Sequence, residues 1–149
     1  MSTTPDWIRF YQDGVPAEIE LPTESLTAMC ERSCAEAGDK VATEFFGATM
    51  TYAQLGERIA RAAEGLRRLG VGAGDRVAIL LPNCPQHLVA FYAVLRLGAV
   101  VCEHNPLSTE RELAEVFADH GAQVAVAMDS VAQRVKAAAP RPEALRSFS

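Results

Sequence analysis

Residues 74–105 read GDRVAILLPNCPQHLVAFYAVLRLGAVVCEHN, and this stretch decides the fold. A short apolar run at Val77–Leu81 is stopped by Pro82-Asn83. A run too long for one strand follows at Pro85–Leu97, and a second β-branched run lies at Val100-Val101 after Gly98. Neither short run alternates polar with apolar residues, and the long run is apolar on nearly every side of a helix. We therefore expect a strand, a helix and a strand that are all buried in a parallel βαβ unit with covered faces.

The composition is that of a globular protein with one sizeable core. Of the 149 residues, 49% are hydrophobic and 22% are charged, which suits a single folded domain and excludes a disordered or fibrous chain. The net charge of −5 leaves no basic face for a polyanion, and the arginines are interleaved with glutamates. Nucleic acid is therefore not expected as a partner.

The chain carries no pattern for export or membrane insertion. Its N-terminus lacks the basic start and apolar stretch of a signal peptide. The most apolar window, Leu88–Cys102, is shorter than the roughly 20 residues of a spanning helix and includes Arg96. We expect a cytoplasmic protein without a transmembrane segment.

The four cysteines fit a reducing compartment. Cys30 and Cys34 are one helical turn apart, but no second close Cys/His pair follows, as a zinc site would require. Cys84 and Cys102 stand alone. The sequence predicts reduced thiols and no metal site.

The chain divides into three predicted parts. Residues 1–24 form an irregular arm with several large aromatic side chains, residues 25–139 form an incomplete α/β subdomain, and residues 140–149 form a tail with too little pattern to interpret. The subdomain repeats the βαβ rhythm and stops part-way through it. Within it we expect a surface helix at Ser25–Ala37, a hairpin of Val41–Phe46 with Thr49–Thr51, a helix ending at Gly70, a helix between Thr109 and Gly121, a strand at Gln123–Ala127 and a last helix at Ser130–Ala139.

Two of these helices begin with capping-box spacing. Thr51 with Gln54, and Thr109 with Glu112, can each exchange two hydrogen bonds between side chain and backbone. The outer face of the first helix also places Glu57 four residues before Arg61, and Glu64 four residues before Arg68. These charges predict a solvated helix surface and no catalytic carboxylate pair.

The glycines at positions 70, 72 and 74 resemble a dinucleotide-binding loop only superficially. Such a loop follows a strand and opens a helix, so that the pyrophosphate meets the helix N-terminus. Here the run ends a helix and precedes a strand. We expect a helix stop and a turn there.

Candidate site residues come from the loops that follow the predicted strands, because parallel sheets bind ligands beyond the carboxyl ends of their strands. These pocket-wall candidates are Pro82, Asn83, His104, Asn105 and Pro106. The alternative is that Asn and Pro simply stop strands and cap helices there. His87 and His120 are predicted to be structural, with His120 at a helix end where a cation suits the helix dipole. No motif or constellation for catalysis, phosphate binding or metal binding is present.

Residues 51–126, TYAQLGERIARAAEGLRRLGVGAGDRVAILLPNCPQHLVAFYAVLRLGAVVCEHNPLSTERELAEVFADHGAQVAV, resemble the N-terminal region of the adenylate-forming enzymes, the superfamily of acyl-CoA synthetases, firefly luciferase and peptide-synthetase adenylation domains. The resemblance covers about residues 25–140. Within the superfamily, GDRVAILLPN (74–83), LRLGAV (95–100) and EHNPLSTEREL (103–113) are most similar to the long-chain fatty-acid-CoA ligases. WIRFYQDGVPAEIE (7–20) resembles the arm that opens those enzymes.

The resemblance implies a parent enzyme that activates a fatty acid with ATP. The carboxylate attacks the α-phosphate, pyrophosphate leaves, and CoA captures the acyl-adenylate, with Mg²⁺ neutralising phosphate charge. The family's phosphate loop ending in Lys, its nucleotide-binding motifs, its hinge and its catalytic-lysine domain lie beyond the matched region. No catalytic, cofactor-binding or metal residue can therefore be assigned, and we expect this fragment alone to bind no cofactor and to be an inactive scaffold.

The implied fold is part of a Rossmann-like α/β domain, preceded by an arm, a helix and a β-hairpin. Because its partner strands would be encoded later, we expect self-association of the isolated fragment. An alternative is a self-sufficient, flavodoxin-like module that binds a small ligand at its strand ends. A non-catalytic partner that mimics the ligase domain is a third interpretation. Strand order and a ligand in the Pro82/Asn105 crevice would discriminate the module from the fragment.

Overall fold

A computed structural model describes residues 5–139 and 146–147, the last two by their backbone. The elements follow the chain as a 3₁₀ helix at Asp6–Phe10, α1 (Leu26–Ala37), β1 (Val41–Phe45), β2 (Ala48–Thr51), α2 (Tyr52–Arg68), β3 (Arg76–Leu80), α3 (Pro85–Arg96), β4 (Val100–Glu103), α4 (Glu110–His120), β5 (Val124–Ala127), α5 (Asp129–Ala138) and β6 (Arg146–Ser147). The predicted α/β fold is confirmed, with element ends shifted by one or two residues.

The main sheet is parallel and has the strand order β4-β3-β5-β6. In register, Ala78 of β3 lies opposite Cys102 of β4 and Ala125 of β5. The chain thus moves from β3 outward to β4 and then returns past β3 to β5. This reversal makes the carboxyl end of β3 a topological switch point, where open α/β sheets form ligand crevices.

Strand β3 is covered on both faces, as its unbroken apolar run predicts. Val77 and Ile79 face a cluster built with Leu66 of α2 and Val94 of α3. Leu80 faces the opposite cluster. That second cluster adds Ala78, Leu113 and Phe117 of α4, and Val131 and Val135 of α5. The four side chains from Val77 to Leu80 are all 0% exposed.

The expectation that all three elements of the βαβ unit are buried is wrong for β4 and only partly right for α3. Val100 is 46% exposed, and the other residues of β4 are partly or fully exposed. In the described part of the chain, β4 has a strand neighbour on one side only. Helix α3 buries Ala90, Ala93 and Val94, while most of its other apolar residues are half-buried.

The hairpin of β1 and β2 packs with α1 and α2 around a third, smaller cluster of Cys34, Met50, Leu55 and Ile59. Its turn is formed by Phe46 and Gly47, whose φ angles are 48° and 79°. Two successive positive φ values are typical of the tight turn that joins antiparallel strands. The predicted hairpin is therefore confirmed, with its turn one residue earlier than expected.

Both predicted capping boxes are present. The Thr51 hydroxyl accepts a hydrogen bond from the Gln54 N–H at 3.2 Å, and the Thr51 N–H donates to the Gln54 side chain at 3.0 Å. Thr109 and Glu112 make the same exchange at the start of α4. Each box fixes the residue at which its helix begins.

The surface of α2 carries one of the two predicted ion pairs. Glu64 binds both Arg67 and Arg68, at 2.8 Å and 2.9 Å. Glu57 and Arg61 form no ion pair within the described residues, and Arg61 lines a groove beside α2. The predicted solvated face is present, but with a different set of pairs.

The N-terminal arm is exposed along its described length, except at the half-buried Ile8. Apart from the 3₁₀ helix it has no regular structure, and Trp7 and Phe10 are 61% and 74% exposed. The predicted boundaries at residues 24 and 139 stay predictions, and residues 140–145, 148 and 149 of the tail lie outside the described residues. Among the helices described, none has both the length and the apolar character needed to cross a membrane.

Candidate functional site

A crevice of about 710 Å³ lies at the carboxyl ends of β3, β4 and β5. It sits at the switch point of the sheet. The structure brings all five pocket-wall candidates together around it. Its lining consists of Leu81, Pro82, Asn83, His87, Glu103, His104, Asn105, Pro106, Leu107, Met128, Ser130, Val131 and Arg134. That this crevice holds a ligand stays a prediction.

The first wall is the segment between β3 and α3. Pro82 and Asn83 are exposed there, and Pro85 occupies the first turn of α3, where its missing N–H costs nothing. Cys84 stands at the N-cap position without a side-chain capping bond. Asn83 precedes the N-cap residue, and no side chain caps α3 at that position.

The second wall is the loop between β4 and α4. The Asn105 side-chain oxygen accepts a hydrogen bond from the Leu107 N–H at 2.9 Å, and the Asn105 carbonyl accepts from the Ser108 N–H at 3.0 Å. Arg134 of α5 donates to the Ser108 carbonyl at 2.7 Å. The Asn105 side chain therefore already serves its own turn, as the structural interpretation expected.

An imidazole and a carboxylate join the two walls. His87 Nε2 lies 2.6 Å from Glu103 Oε1, and His87 Nδ1 lies 3.3 Å from the Leu81 carbonyl. The pair connects the first turn of α3 to the end of β4. Sequence reasoning missed this contact, although His87 lies two residues into the helix that follows the β3 loop and Glu103 ends the next strand.

A pair of histidines lies behind the second wall. His104 Nε2 is 2.9 Å from His120 Nε2, and both rings pack against the buried Phe117. Burial lowers the pKa of His104. Burial also lowers the pKa of His120, and His104 adds to that shift. The predicted cation at the end of α4 is therefore not favoured, because the surroundings of His120 oppose its charge.

The glycine run does not have the position of a phosphate-binding loop. The glycine run lies between α2 and β3, where the Gly72 N–H donates to the Asp75 side chain at 2.8 Å in a turn. Within the described ranges, no group of three His, Cys, Asp or Glu side chains is placed to hold a metal ion. Burial raises the pKa of the Cys30 thiol to about 11, with Cys34 adding to the shift, so it stays protonated near neutral pH.

A second cavity is not indicated by the sequence pattern. This groove of about 1060 Å³ runs along α2 and α3 and is lined mainly by apolar side chains, with Arg58 and Arg61 at its margin. Charge interleaving along α2 predicts only a solvated surface for these arginines. The groove could have been inferred from the position of Arg58 and Arg61 on α2 beside Ala62 and Leu66, because all four residues line it.

Comparison with known proteins shows the family to which the chain is similar. The AMP-binding enzyme family matches residues 30–148. The chain is 35% identical over 129 residues to a long-chain-fatty-acid–CoA ligase of Bacillus subtilis (strain 168), and 38% identical over 132 residues to one of Escherichia coli O6:H1. Each alignment covers 87% of this chain, but only 23% and 24% of those relatives, so the chain spans about a quarter of their length.

A solved structure shares the fold. The N-terminal subdomain of Klebsiella oxytoca NpsA, in complex with anthranilyl-AMSN, superimposes with a TM-score of 0.71 at 27% identity. The superposition covers 83% of this chain and 30% of that one. The α/β fold with a small parallel sheet and flanking helices is thus an arrangement known from adenylate-forming enzymes.

Proposed function

Since the chain belongs to the family of AMP-binding enzymes, which matches residues 30–148, we propose that it is the N-terminal part of a long-chain fatty-acid-CoA ligase. The parent activity is ATP-dependent adenylation of a fatty acid, followed by thioester formation with CoA. The observation that carries this proposal is the similarity to long-chain ligases, at 35% and 38% identity over 87% of the chain.

The part played by these residues is structural. Strand β3 and its two covered faces form the hydrophobic core of the segment. The described residues offer no phosphate loop and no metal ligand set, so ATP, Mg²⁺ and CoA would be held by residues elsewhere in the parent enzyme. We place the Pro82-Asn83 and His104–Pro106 segments toward the substrate side, as one wall of a larger site.

We also propose that the protein is located in the cytoplasm. All four cysteines are unpaired, and Cys34 is buried in the smaller core. Free thiols of this kind persist in a reducing compartment. Fractionation of cells that express the protein, followed by immunoblotting, tests the location.

Two measurements test the proposed function. An antibody raised against residues 25–139 should detect a native polypeptide about four times longer than the present chain, as the 23% coverage of a relative suggests. A native product of only 16.0 kDa would contradict the proposal. Purified residues 1–149 should show no fatty-acid-dependent exchange of pyrophosphate into ATP, whereas the long native polypeptide should show it.

The substrate class needs its own comparison. The long native polypeptide should form CoA thioesters faster with hexadecanoate than with benzoate or anthranilate, because the relatives that carry the proposal are long-chain ligases. A reversed preference would leave acyl activation intact and reject the long-chain substrate.

A small ligand-binding module remains the second candidate, favoured by one observation. The three strands β3, β4 and β5 have the order 2-1-3 of a flavodoxin-like sheet, with a crevice at its switch point. A module of this kind would be monomeric and would bind a small molecule without further chain. Thermal-shift screening of residues 1–149 with nucleotides and flavins distinguishes the two, since the fragment should give no shift.

A further inference from the structure

The contact between His104 and His120 is unusual because two imidazoles share one hydrogen bond. Their Nε2 atoms are 2.9 Å apart, and their ring centroids are 4.9 Å apart in a stacked arrangement. His104 follows β4 and lines the crevice, whereas His120 is the last residue of α4. The contact therefore joins the crevice loop to the far end of a helix.

The hydrogen-bond partners fix where the protons lie. The Ala122 N–H donates to His120 Nδ1 at 3.0 Å, so this nitrogen must carry a lone pair. His120 therefore carries its proton on Nε2 and donates it to His104 Nε2. His104 is then left with its proton on Nδ1, and both rings are neutral.

One additional proton breaks this arrangement. A proton on His120 Nδ1 would face the Ala122 N–H, and a proton on His104 Nε2 would face the proton of His120. If His120 moved its own proton to Nδ1, the bond between the two rings would be kept and the bond to Ala122 would be lost instead. Each route leaves two donors facing one another, and one hydrogen bond disappears.

The surrounding charges do not rescue the protonated state. Asp119 on α4 favours a charge on His120, but Arg76 on β3 opposes it. Glu103, the nearest carboxylate on β4, is already bonded to His87 at 2.6 Å. Arg134 of α5 adds a further positive charge where it binds the Ser108 carbonyl.

The loop behind this contact has few other anchors. The His104 backbone N–H donates to the Ile79 carbonyl at 3.0 Å, and at the other end Arg134 holds Ser108 and the capping box with Glu112 holds Thr109. Between them, Leu107 is 81% exposed, and its N–H bonds to Asn105 within the same loop. The stack of His104 on Phe117 and its bond to His120 are therefore the side-chain attachments at the start of this wall.

We propose that His104 and His120 form a proton-controlled latch, which holds the loop 104–109 against α4 when both rings are neutral. The latch loosens when either ring takes up a proton, because one of the two hydrogen bonds that run from His104 through His120 to Ala122 is then lost. Above neutral pH the crevice has a fixed second wall. In mildly acidic conditions that wall becomes mobile. The latch does not depend on the proposed ligase function.

The first test measures each histidine separately. The chain contains only three histidines, so exchange of the imidazole C2 hydrogen, followed by mass spectrometry over a pH series, reports each one. His120→Phe keeps a ring on Phe117 but removes the donor, and should raise the pKa of His104. His104→Phe should likewise raise the pKa of His120, whereas His87→Gln, the matched control, should change neither value.

The second test measures the loop itself. Amide hydrogen exchange of the peptide that spans residues 104–109, corrected for intrinsic rates, should lose about tenfold protection between pH 7.5 and pH 5, the factor expected for one lost hydrogen bond. His104→Phe and His120→Phe should show no such pH dependence. The latch would be overturned if wild-type protection did not change with pH. It would also be overturned if the pKa of each histidine stayed the same when the other was replaced. The result on the wild type does not depend on whether the variants fold.

Discussion

Strands β3 and β4 flank the same helix and are both short apolar runs, yet they end in opposite environments. Val77 and Ile79 of β3 are completely buried, whereas Val100 of β4 is 46% exposed. β3 has a strand on each side and helices over both faces, while β4 has a single strand neighbour in the described part of the chain. An apolar run thus predicts a strand, but its burial depends on partners that the run itself does not specify.

The largest expected effect comes from the same substitution placed in each environment. Val94→Asp, on the face of α3 that packs against β3, should destabilise the fold by more than about 4 kcal/mol, because the new carboxylate is buried without a partner. Val100→Asp should cost less than about 1 kcal/mol, since its side chain reaches water. Urea unfolding measures both, and similar losses would show that β4 is buried after all.

Leu80→Ala sharpens the comparison with a smaller change. Leu80 is 0% exposed in the cluster with Leu113 and Phe117, so its truncation should lower the free energy of unfolding by about 2 to 5 kcal/mol. Leu107→Ala, at a side chain that is 81% exposed, is the matched control and should change it by less than about 0.5 kcal/mol. A near-neutral unfolding midpoint for Leu80→Ala would refute the burial of β3.

Most of the fold could be predicted from local signals. The capping boxes at Thr51 and Thr109, the stops at Gly70 and Gly121, and the unbroken apolar run of β3 each specify a structure within a few residues. The exposure of β4 could not be predicted in this way. It depends on which strands pair with it, and pairing joins residues that are distant in the sequence.

The candidate site was predictable in position but not in its contacts. The rule that ligands bind beyond parallel strand ends located Pro82, Asn83, His104, Asn105 and Pro106 at one crevice. The side-chain pairs could not be derived, because His87 and Glu103, and likewise His104 and His120, are each 16 residues apart in the chain. Their meeting depends on how α3 and α4 pack on the sheet, which periodicity does not specify.

The stability of the fold should also depend on pH through His104 and His120, which lie beside the edge strand β4. The pKa values of His104 and His120 are lowered by folding from the ordinary value of 6.5, so the unfolded chain binds more protons below that pH. Their stabilisation is present above pH 6.5 and is lost as the pH falls through the folded pKa values. The loss is at most about 1.4 kcal/mol per pH unit for each histidine.

Unfolding at pH 7.5 and pH 5.5 measures this loss above the titration of the three carboxylates whose pKa values are lowered by folding. Folding lowers the pKa values of Glu24, Glu64 and Glu112 from an ordinary 4.5, so their titration lies below this window. The double variant His104→Phe/His120→Phe should be less sensitive to acid than the wild type. Stability that is constant or higher at pH 5.5 would contradict a lowered pKa for these two histidines.

The smallest effect on stability is expected from Val100→Lys. This substitution also tests directly whether β4, unlike β3, is an exposed edge strand. An edge strand offers unpaired backbone groups, and here it also exposes an apolar side chain. The isolated chain should therefore self-associate at micromolar concentration and bind a hydrophobic dye. A lysine at the edge should reduce self-association and dye binding with little change in unfolding free energy. Leu107→Lys, in a loop and away from the edge, should reduce neither.

Sedimentation velocity separates the outcomes. A compact wild-type monomer that binds no dye and unfolds in one sharp transition would mean that β4 needs no further partner, and would favour the self-sufficient module over the ligase segment.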